Sequence, residues 1–141
     1  MIQRIQSIWL LLVSLFSSVT FRFPFYKGDW ERDATADPVE LNAHTTTWFT
    51  VITVLVGLLA FASIFFFENR KLQLKLCYLG IGITLLLLGL YFFEMASYFE
   101  PGKGTIALWC VFYFAVLACY ILAARGIWKD EKLIKSMDRL R

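Results

Sequence analysis

The chain has 141 residues, of which 59% are hydrophobic and 18% charged, with a net charge of +3. Ordinary soluble domains carry about 25% charged residues, so this composition excludes a typical soluble globular protein and favours a single small membrane domain. The total charge says little about partners because the charges are unevenly placed, and we expect no nucleic-acid partner.

The first apolar stretch, residues 8–21, follows a single cation near the N-terminus. A secretory signal peptide begins in the same way, but no small-x-small cleavage site closes this stretch. We interpret residues 5–23 as the first of four transmembrane helices, the shortest and most polar of them. Ser7, Ser14 and Ser18 recur at helical spacing and predict a face that allows close helix packing or bonds back to backbone carbonyls.

Residues 24–46 form the only long loop, and its acidic residues outnumber its basic ones. The spacing lacks the D-x-D-x-D-G pattern of a calcium loop, and His44, the only histidine, has no paired ligand in sequence. We therefore expect a solvated acidic loop without a metal, which could fold as a small cap over the bundle. The alternating pattern of residues 21–26 resembles a strand, but Pro24 argues against one.

Two uninterrupted apolar runs, residues 48–67 and 76–93, flank a short charged hinge at residues 68–75. Each run is about long enough to cross a hydrocarbon core of roughly 30 Å. Because the hinge is short, the two runs must lie antiparallel. We predict transmembrane helices at residues 47–67 and 75–97.

Small residues in these two helices predict packing faces. Thr53, Gly57 and Ala60 recur at three and four residues in the second helix, which favours a close neighbour there. Gly82 and Gly89 are seven residues apart in the third helix, and we attribute both to close packing.

The fourth predicted transmembrane helix covers residues 105–125, after a short loop at residues 98–104. Tyr120 lies deep in it, and its hydroxyl needs a partner from another helix if it faces inward. The three cysteines lie in apolar runs, and their odd number argues against a disulfide framework.

Four spans place both termini on one side of the membrane. Ten of the 14 Lys and Arg residues lie on the side of the termini and the hinge, whereas four lie on the other side (Arg22, Lys27, Arg32 and Lys103). Since cations favour the cytoplasmic side, both termini are predicted to be cytoplasmic. The predicted fold is an all-α integral membrane protein with a four-helix transmembrane bundle at residues 1–126.

Residues 127–141 predict a short, basic, amphipathic cytoplasmic helix. Ile127, Ile134 and Met137 recur near helical spacing, and Glu131 and Lys135 form a favourable i, i+4 pair. Such a helix either lies on anionic headgroups, which we favour, or docks into a groove of a cytoplasmic partner. The candidate lipid- or partner-contacting residues are Trp128, Lys129, Lys132, Ile134, Lys135, Met137, Arg139 and Arg141.

Sequence motifs for catalysis are missing from the chain. The apolar runs within the predicted spans (residues 8–21, 48–67, 76–93 and 105–124) contain no Asp, Lys, Arg or His, and no P-loop, H-E-x-x-H or G-x-S-x-G motif occurs. We expect no enzymatic activity, no catalytic residue, no cofactor and no metal. The favoured interpretation is a structural or accessory subunit of an inner-membrane assembly. The alternatives are a small transporter or channel-like homo-oligomer, or a lipid- or quinone-binding membrane protein.

The opening MIQRIQSIWLLL and the closing DEKLIKSMDRLR, with four predicted spans between them, carry a family resemblance over the whole chain. The sequence resembles a family of short bacterial inner-membrane proteins known as the domain of unknown function DUF4293. The resemblance implies a compact four-helix integral membrane protein of a Gram-negative bacterium. It implies no catalytic or ligand-binding residue.

Overall fold

The computed structural model describes residues 3–28, 39–67, 69–98 and 104–138. These ranges contain four helices and three short strands. The helices are α1 (Gln3–Val19), α2 (Thr47–Phe65), α3 (Arg70–Tyr98) and α4 (Val111–Asp138), with one 3-10 turn (Leu108–Cys110) directly before α4. The strands are β1 (Tyr26–Gly28), β2 (Val39–Leu41) and β3 (Thr105–Ile106).

The four helices form an up-down-up-down bundle in which α1 and α3 each pack mainly against α2 and α4. Contacts at both ends show that α1 and α4 are antiparallel. Gln6 near the start of α1 bonds to Asp130 near the end of α4, and Tyr113 near the start of α4 bonds to the carbonyl of Thr20 just after α1. We call the end that carries the strands the sheet end. The opposite end, where α2 ends and α3 begins, is the hinge end.

Three helical segments are long and apolar enough to cross a membrane: Thr47–Phe65, Arg70–Ser97 and Leu108–Ile134. They cover the predicted second, third and fourth spans and are consistent with a multi-pass membrane protein. The first predicted span is a shorter apolar helix, Ile5–Val19. At a rise of 1.5 Å per residue, α1 is about 25 Å long, whereas α3 is about 43 Å long.

The sides of the bundle are apolar, unlike the surface of a soluble protein. Large apolar side chains are exposed on every helix, among them Leu11, Leu58, Leu86 and Ile121. The interior is mostly apolar as well, but it also contains buried polar side chains (Gln6, Ser17, Thr20, Thr53, Ser63, Gln73, Thr84 and Asp130). A soluble amphipathic helix turns its polar face outward, so an apolar exterior around polar groups fits a bundle that is surrounded by lipid.

The core has two parts. The part nearer the hinge end is aliphatic and is built from small and branched residues (Leu10, Val13, Val56, Ala60, Cys77, Ala123 and Ile127) together with Tyr120. The part nearer the sheet end is aromatic. Tyr91 stacks on Phe49 at a ring-centroid distance of 4.4 Å and on Phe25 at 5.1 Å, and Tyr113 meets it edge-on at 4.9 Å. Such pairs contribute about 0.5–1.5 kcal/mol each beyond the burial of their area.

The three strands form an antiparallel sheet in the order β2-β1-β3, with Tyr26 opposite both Leu41 and Ile106. Lys27 and Glu40 are paired across the sheet and form an ion pair. The sequence argued against a strand at residues 21–26, and this holds for all but Tyr26, where β1 begins. Pro24 lies before β1 and therefore removes no hydrogen bond from the ladder.

A cap over the bundle is confirmed for the described part of the long loop. Phe25 links this cap to the aromatic core, and its backbone amide donates to the carbonyl of Leu41 at 2.7 Å. Most of the acidic residues that motivated the prediction of an acidic loop, such as Asp29, Glu31 and Asp33, lie outside the described residues. His44 is exposed at the same end of the molecule.

The sequence predicts a separate C-terminal helix after residue 126, and the structure differs from this prediction. The helix α4 continues without a break from Val111 to Asp138, and both Ile127 and Asp130 are buried. Gly126 allows the close approach of α1 to this part of α4, because a Cβ there would lie 2.9 Å from Cγ of Gln6. The missing side chain lets α1 pack against α4 beyond the predicted end of the bundle.

The prediction of a small-residue face on α2 is confirmed. Thr53 and Ala60 are buried, and a Cβ added at Gly57 would lie 3.4 Å from Cβ of Ser17 on α1. The prediction for α3 is wrong, because Gly82 and Gly89 both face open space. Two glycines on one helix face are typical of a close helix–helix contact, which is why the sequence predicted one. No neighbouring helix reaches that face within the described residues.

Candidate functional site

The predicted contact residues of the C-terminal segment lie on the last turns of α4. Trp128, Lys129, Lys132 and Ile134 are exposed there, and the Lys132 Nζ atom lies 5.6 Å from the centroid of the Trp128 ring. An exposed cation–π contact of this kind stabilises the pair by about 0.5–1 kcal/mol. Lys135 and Met137 belong to the helix, but their side chains lie outside the described part of the structure, as do Arg139 and Arg141 entirely.

This part of α4 extends beyond its packing partner. Asp130 is the last residue of α4 that is buried in the described structure. Beyond it, Lys132, Leu133, Ile134 and Ser136 are all exposed, with 46% of Leu133 and 38% of Ile134 accessible. We call residues 131–138 the α4 projection, and it presents cations and aliphatic side chains together.

Cations surround the base of this projection. Lys71 and Lys75 at the start of α3, and Arg125 and Lys129 on α4, are exposed at the hinge end. At the sheet end Lys27 is paired with Glu40. The described charges therefore give the hinge end a cationic surface, which would attract an anionic membrane leaflet or an acidic protein.

A buried polar pair ties the base of α4 to α1. The Gln6 side-chain amide donates a short hydrogen bond to Oδ2 of Asp130, and both residues are buried. The second carboxylate oxygen, Oδ1, is also buried and has no hydrogen-bond partner among the described residues. Sequence reasoning missed this pair by counting Asp130 as a surface charge. The available signal was the i, i+4 spacing of Gly126 and Asp130, which places both on one face of the helix.

A second group of polar side chains lies inside the bundle, at the level of the aromatic core. Ser17, Thr20, Thr53, Thr84 and Tyr113 line a cavity of about 10 Å³, which is close to the smallest volume that holds one water molecule. The apolar wall of the cavity is formed by Val56, Leu87, Leu88 and Val116.

Three of these hydroxyls have partners on the backbone. Thr84 donates to the Gly80 carbonyl at 2.8 Å, and Thr20 to the Ser17 carbonyl at 2.7 Å. Tyr113 donates to the Thr20 carbonyl at 3.1 Å, and the carbonyl of Phe23 lies at the same distance. Tyr113 therefore satisfies carbonyls that the end of α1 leaves without helical partners.

Other hydroxyls at this level are buried without a hydrogen bond among the described residues. They belong to Ser17 and Thr53, which are 3% and 2% exposed, and to Tyr91, whose hydroxyl lies near enough to those of Thr53 and Tyr113 to interact with both, although no pair meets the geometry of a full hydrogen bond. A Ser or Thr inside a helix usually bonds back to its own backbone, as Ser18 does to the Ser14 carbonyl at 3.0 Å. An unbonded buried hydroxyl costs about 1–3 kcal/mol, so this arrangement is unfavourable unless something else satisfies it.

Ser17 and Thr53 also belong to the residues that line an open groove between α1 and α2, with a volume of about 190 Å³, but their oxygens are buried and not exposed to it. The groove is lined by Ser14, Ser17, Ser18, Phe21, Thr53, Val54, Gly57, Leu58 and Phe61. The predicted serine face of α1 is therefore only partly covered by α2. Ser17, which the sequence did not single out, is the member of that face that reaches the interior.

The chemistry available in the described residues is that of neutral hydroxyls, amides and one buried carboxylate. No group of three or more His, Cys, Asp or Glu residues that could hold a metal occurs in these ranges. Cys77, Cys110 and Cys119 are free thiols, and the first and last of them are buried.

Comparisons with curated proteins and with solved structures give no match. A family model matches residues 2–140, nearly the whole chain, and its description is a domain of unknown function. The resemblance read from the terminal motifs MIQRIQSIWLLL and DEKLIKSMDRLR is thereby confirmed: the chain belongs to the DUF4293 family.

Proposed function

We propose that the protein is a non-enzymatic accessory subunit of a membrane assembly, which binds a cytoplasmic partner through the α4 projection. The partner surface is an acidic groove with an apolar floor, since the projection presents Lys132 beside Leu133 and Ile134. The observation that carries the proposal is the unbroken continuation of α4 beyond its last buried residue, Asp130.

The continuity of α4 favours a protein partner over the lipid surface. An amphipathic helix that lies on a membrane is oriented in the interface plane, and it requires a break from the helix that crosses the bilayer. Here α4 contains all of the apolar segment Leu108–Ile134 except its first three residues, and it has no break up to Asp138. Leu133 and Ile134 are exposed near its end, and burial in a partner's groove would remove their apolar surface from water.

The proposed topology has four spans, with both termini and the hinge in the cytoplasm of a bacterium and the sheet outside the inner membrane. The support comes from the exposed cations at the hinge end and from the three helices long enough to span. Although α1 is short, it packs along both α2 and α4, which supports a position at the same depth as theirs. A helix shorter than the hydrocarbon core is accommodated by local thinning of the bilayer.

A photo-crosslinking amino acid at position 133 tests the proposal in cells. We expect a discrete crosslinked protein of defined mass at this position. The matched control is position 79, because Leu79 is equally exposed but lies on the apolar exterior of α3. Crosslinking there should give lipid adducts and no defined protein band.

Charge reversal separates a specific contact from random collisions. The double variant Lys129→Glu and Lys132→Glu should abolish the crosslink at position 133, whereas Lys27→Glu at the sheet end should leave it intact. The proposal is contradicted if position 133 gives only lipid adducts. It is equally contradicted if the crosslink has the same yield in the charge-reversed variant.

A further inference from the structure

We infer that Arg125 and Lys129, on the lipid-facing side of α4, bind the phosphate group of an anionic phospholipid. This site precedes the α4 projection along the helix. The inference rests on the proposed crossing of the membrane by α4, but it does not require the protein partner. It therefore adds a lipid-binding activity to the proposed docking role.

A continuous exposed stripe along α4 is the first reason. Its members recur every three or four residues and so share one face of the helix. They are all exposed, and the first three are apolar whereas the last three are cationic (Phe114, Ala118, Leu122, Arg125, Lys129 and Lys132). Tyr120, which contacts α3, and Gly126, which contacts α1, lie on other faces. An acyl chain that covers the apolar part of the stripe would bring its headgroup to the cations.

The depth of Arg125 is the second reason. The sheet cannot lie in hydrocarbon because its edge strands leave backbone groups unpaired, so α4 enters the core no earlier than Leu108, just after β3. The rise from Leu108 to Arg125 is about 26 Å, whereas a hydrocarbon core is about 30 Å thick. The backbone of Arg125 therefore lies within the core, close to its edge at the hinge end. A cation at this depth is unfavourable unless its side chain reaches an anionic group.

The described protein offers no such group to these two cations. Neither Arg125 nor Lys129 forms an ion pair within the described residues, where the ion pair of Lys27 with Glu40 lies at the sheet end. Asp130 follows Lys129 in sequence, but it is buried and bonded to Gln6 of α1. Lipid phosphates occupy the level that the Arg125 guanidinium reaches, so they are the available counter-ion.

Charge and shape indicate the class of lipid. The planar guanidinium of Arg125 can donate two parallel hydrogen bonds to a phosphate, and Lys129 supplies a second charge about 6 Å further along the helix. A zwitterionic headgroup would bring an ammonium group that both cations repel. An anionic diacyl phospholipid brings a net negative charge, and its chains cover exposed side chains such as Leu122 and Phe114.

Native mass spectrometry of the full-length, delipidated protein in an uncharged detergent tests the inference. The probes are dioleoyl phosphatidylglycerol, dioleoyl phosphatidylcholine and inorganic phosphate. We expect one copy of phosphatidylglycerol to bind about 30-fold more tightly than phosphatidylcholine, as expected for two cations near the membrane surface. Inorganic phosphate should not displace the lipid, because it lacks the chains that cover the apolar part of the stripe.

Substitutions localise the binding. Arg125→Gln should weaken phosphatidylglycerol binding about fivefold, and the double variant with Lys129→Gln about 30-fold. Arg125→Lys keeps the charge but loses the paired hydrogen bonds, so its affinity should lie between those of Arg125→Gln and the wild type. Arg22→Gln removes an exposed arginine at the sheet end and should have no effect. All these positions are exposed, so the thermal stability of the variants should match that of the wild type.

Four results would overturn the inference. The first is equal binding of phosphatidylglycerol and phosphatidylcholine, and the second is displacement of the lipid by inorganic phosphate. The third is an equal loss in Lys75→Gln, an exposed cation of α3, because the lipid would then bind the whole cationic end. The fourth is an Arg125→Gln variant that binds lipid normally but loses the crosslink at position 133, since Arg125 would then serve the protein partner. Loss of lipid selectivity with the crosslink retained overturns this inference alone.

Discussion

Tyr120 connects three helices through one side chain. It belongs to α4, its hydroxyl donates to the Val56 carbonyl on α2 at 2.7 Å, and its ring occupies the space that Gly80 leaves on α3. The sequence predicted that the hydroxyl would find a partner on another helix, and this is confirmed. The sequence could not predict that Gly80 is the glycine of α3 that faces the Tyr120 ring. Gly80, Gly82 and Gly89 are identical in type and differ only in what lies opposite them.

Removing the hydroxyl of Tyr120 tests this contact. Tyr120→Phe should lower the free energy of unfolding by about 1 kcal/mol, since one interhelical hydrogen bond is lost and the Val56 carbonyl keeps its helical partner. Tyr78→Phe, at an exposed position on α3, is the matched control and should change little. Reversible unfolding by SDS in mixed micelles, followed by circular dichroism, measures both. Equal effects of the two substitutions would contradict the hydrogen bond from Tyr120 to the Val56 carbonyl.

The glycines of α3 provide a second residue-scale prediction. A Cβ at position 80 would lie 2.5 Å from the Tyr120 ring, so Gly80→Ala should destabilise the bundle by about 1–3 kcal/mol through overpacking. Gly82→Ala meets no atom within 4 Å and should be neutral or stabilising by up to about 1 kcal/mol, because alanine is the better helix former. The same unfolding assay compares them. A larger loss at position 82 than at position 80 would show that the packing of α3 is wrongly assigned.

At the scale of elements, the association of α1 with α4 depends on polar groups at the hinge end. Gln6 and Asp130 bond to each other inside the bundle, and Gly126 provides the space for Gln6. The length of the apolar runs was enough to predict the helices. It was not enough to locate the end of α4, because a buried carboxylate looks like a surface charge in sequence.

A double-mutant cycle measures this interaction. Asp130→Ala and Gln6→Ala should each destabilise the protein by about 1–3 kcal/mol, because each leaves a buried polar group without its partner. The double variant should cost less than the sum of the two, with a coupling free energy of about 0.5–3 kcal/mol. Lys132→Ala on the exposed face of α4 is the control and should have a small effect. Strict additivity of Gln6→Ala and Asp130→Ala would contradict a direct bond.

The sheet shows a different limit of sequence-based prediction. Its central strand, Tyr26–Gly28, pairs on one side with a strand that follows the long loop and on the other with Thr105–Ile106, almost 80 residues away. These strands have two or three residues each, too few for a period-2 pattern to identify them. Only the contact between the two loops at the sheet end, which depends on the helices being antiparallel, brings the third strand into place.

At the scale of the whole molecule, the sides are apolar, several buried polar side chains bond to backbone carbonyls, and the charges gather at the ends. This arrangement is the one expected in a solvent that cannot hydrogen-bond, where interior hydroxyls and amides help helices to associate. Composition and the lengths of the apolar runs predicted this organisation correctly. The groove and the buried pair could not be predicted, since both depend on which faces of the helices meet.

The central claim is that the bundle crosses the membrane with its hinge end in the cytoplasm and its sheet end outside. Labelling with a membrane-impermeant maleimide tests it, in a background where Cys77, Cys110 and Cys119 are replaced by alanine. His44 and Ser136 are exposed at opposite ends, so His44→Cys and Ser136→Cys serve as reporters. We predict that His44→Cys is labelled in cells with an intact inner membrane and Ser136→Cys only after that membrane is opened. Labelling of both variants from the same side, or the reverse order, would contradict the account.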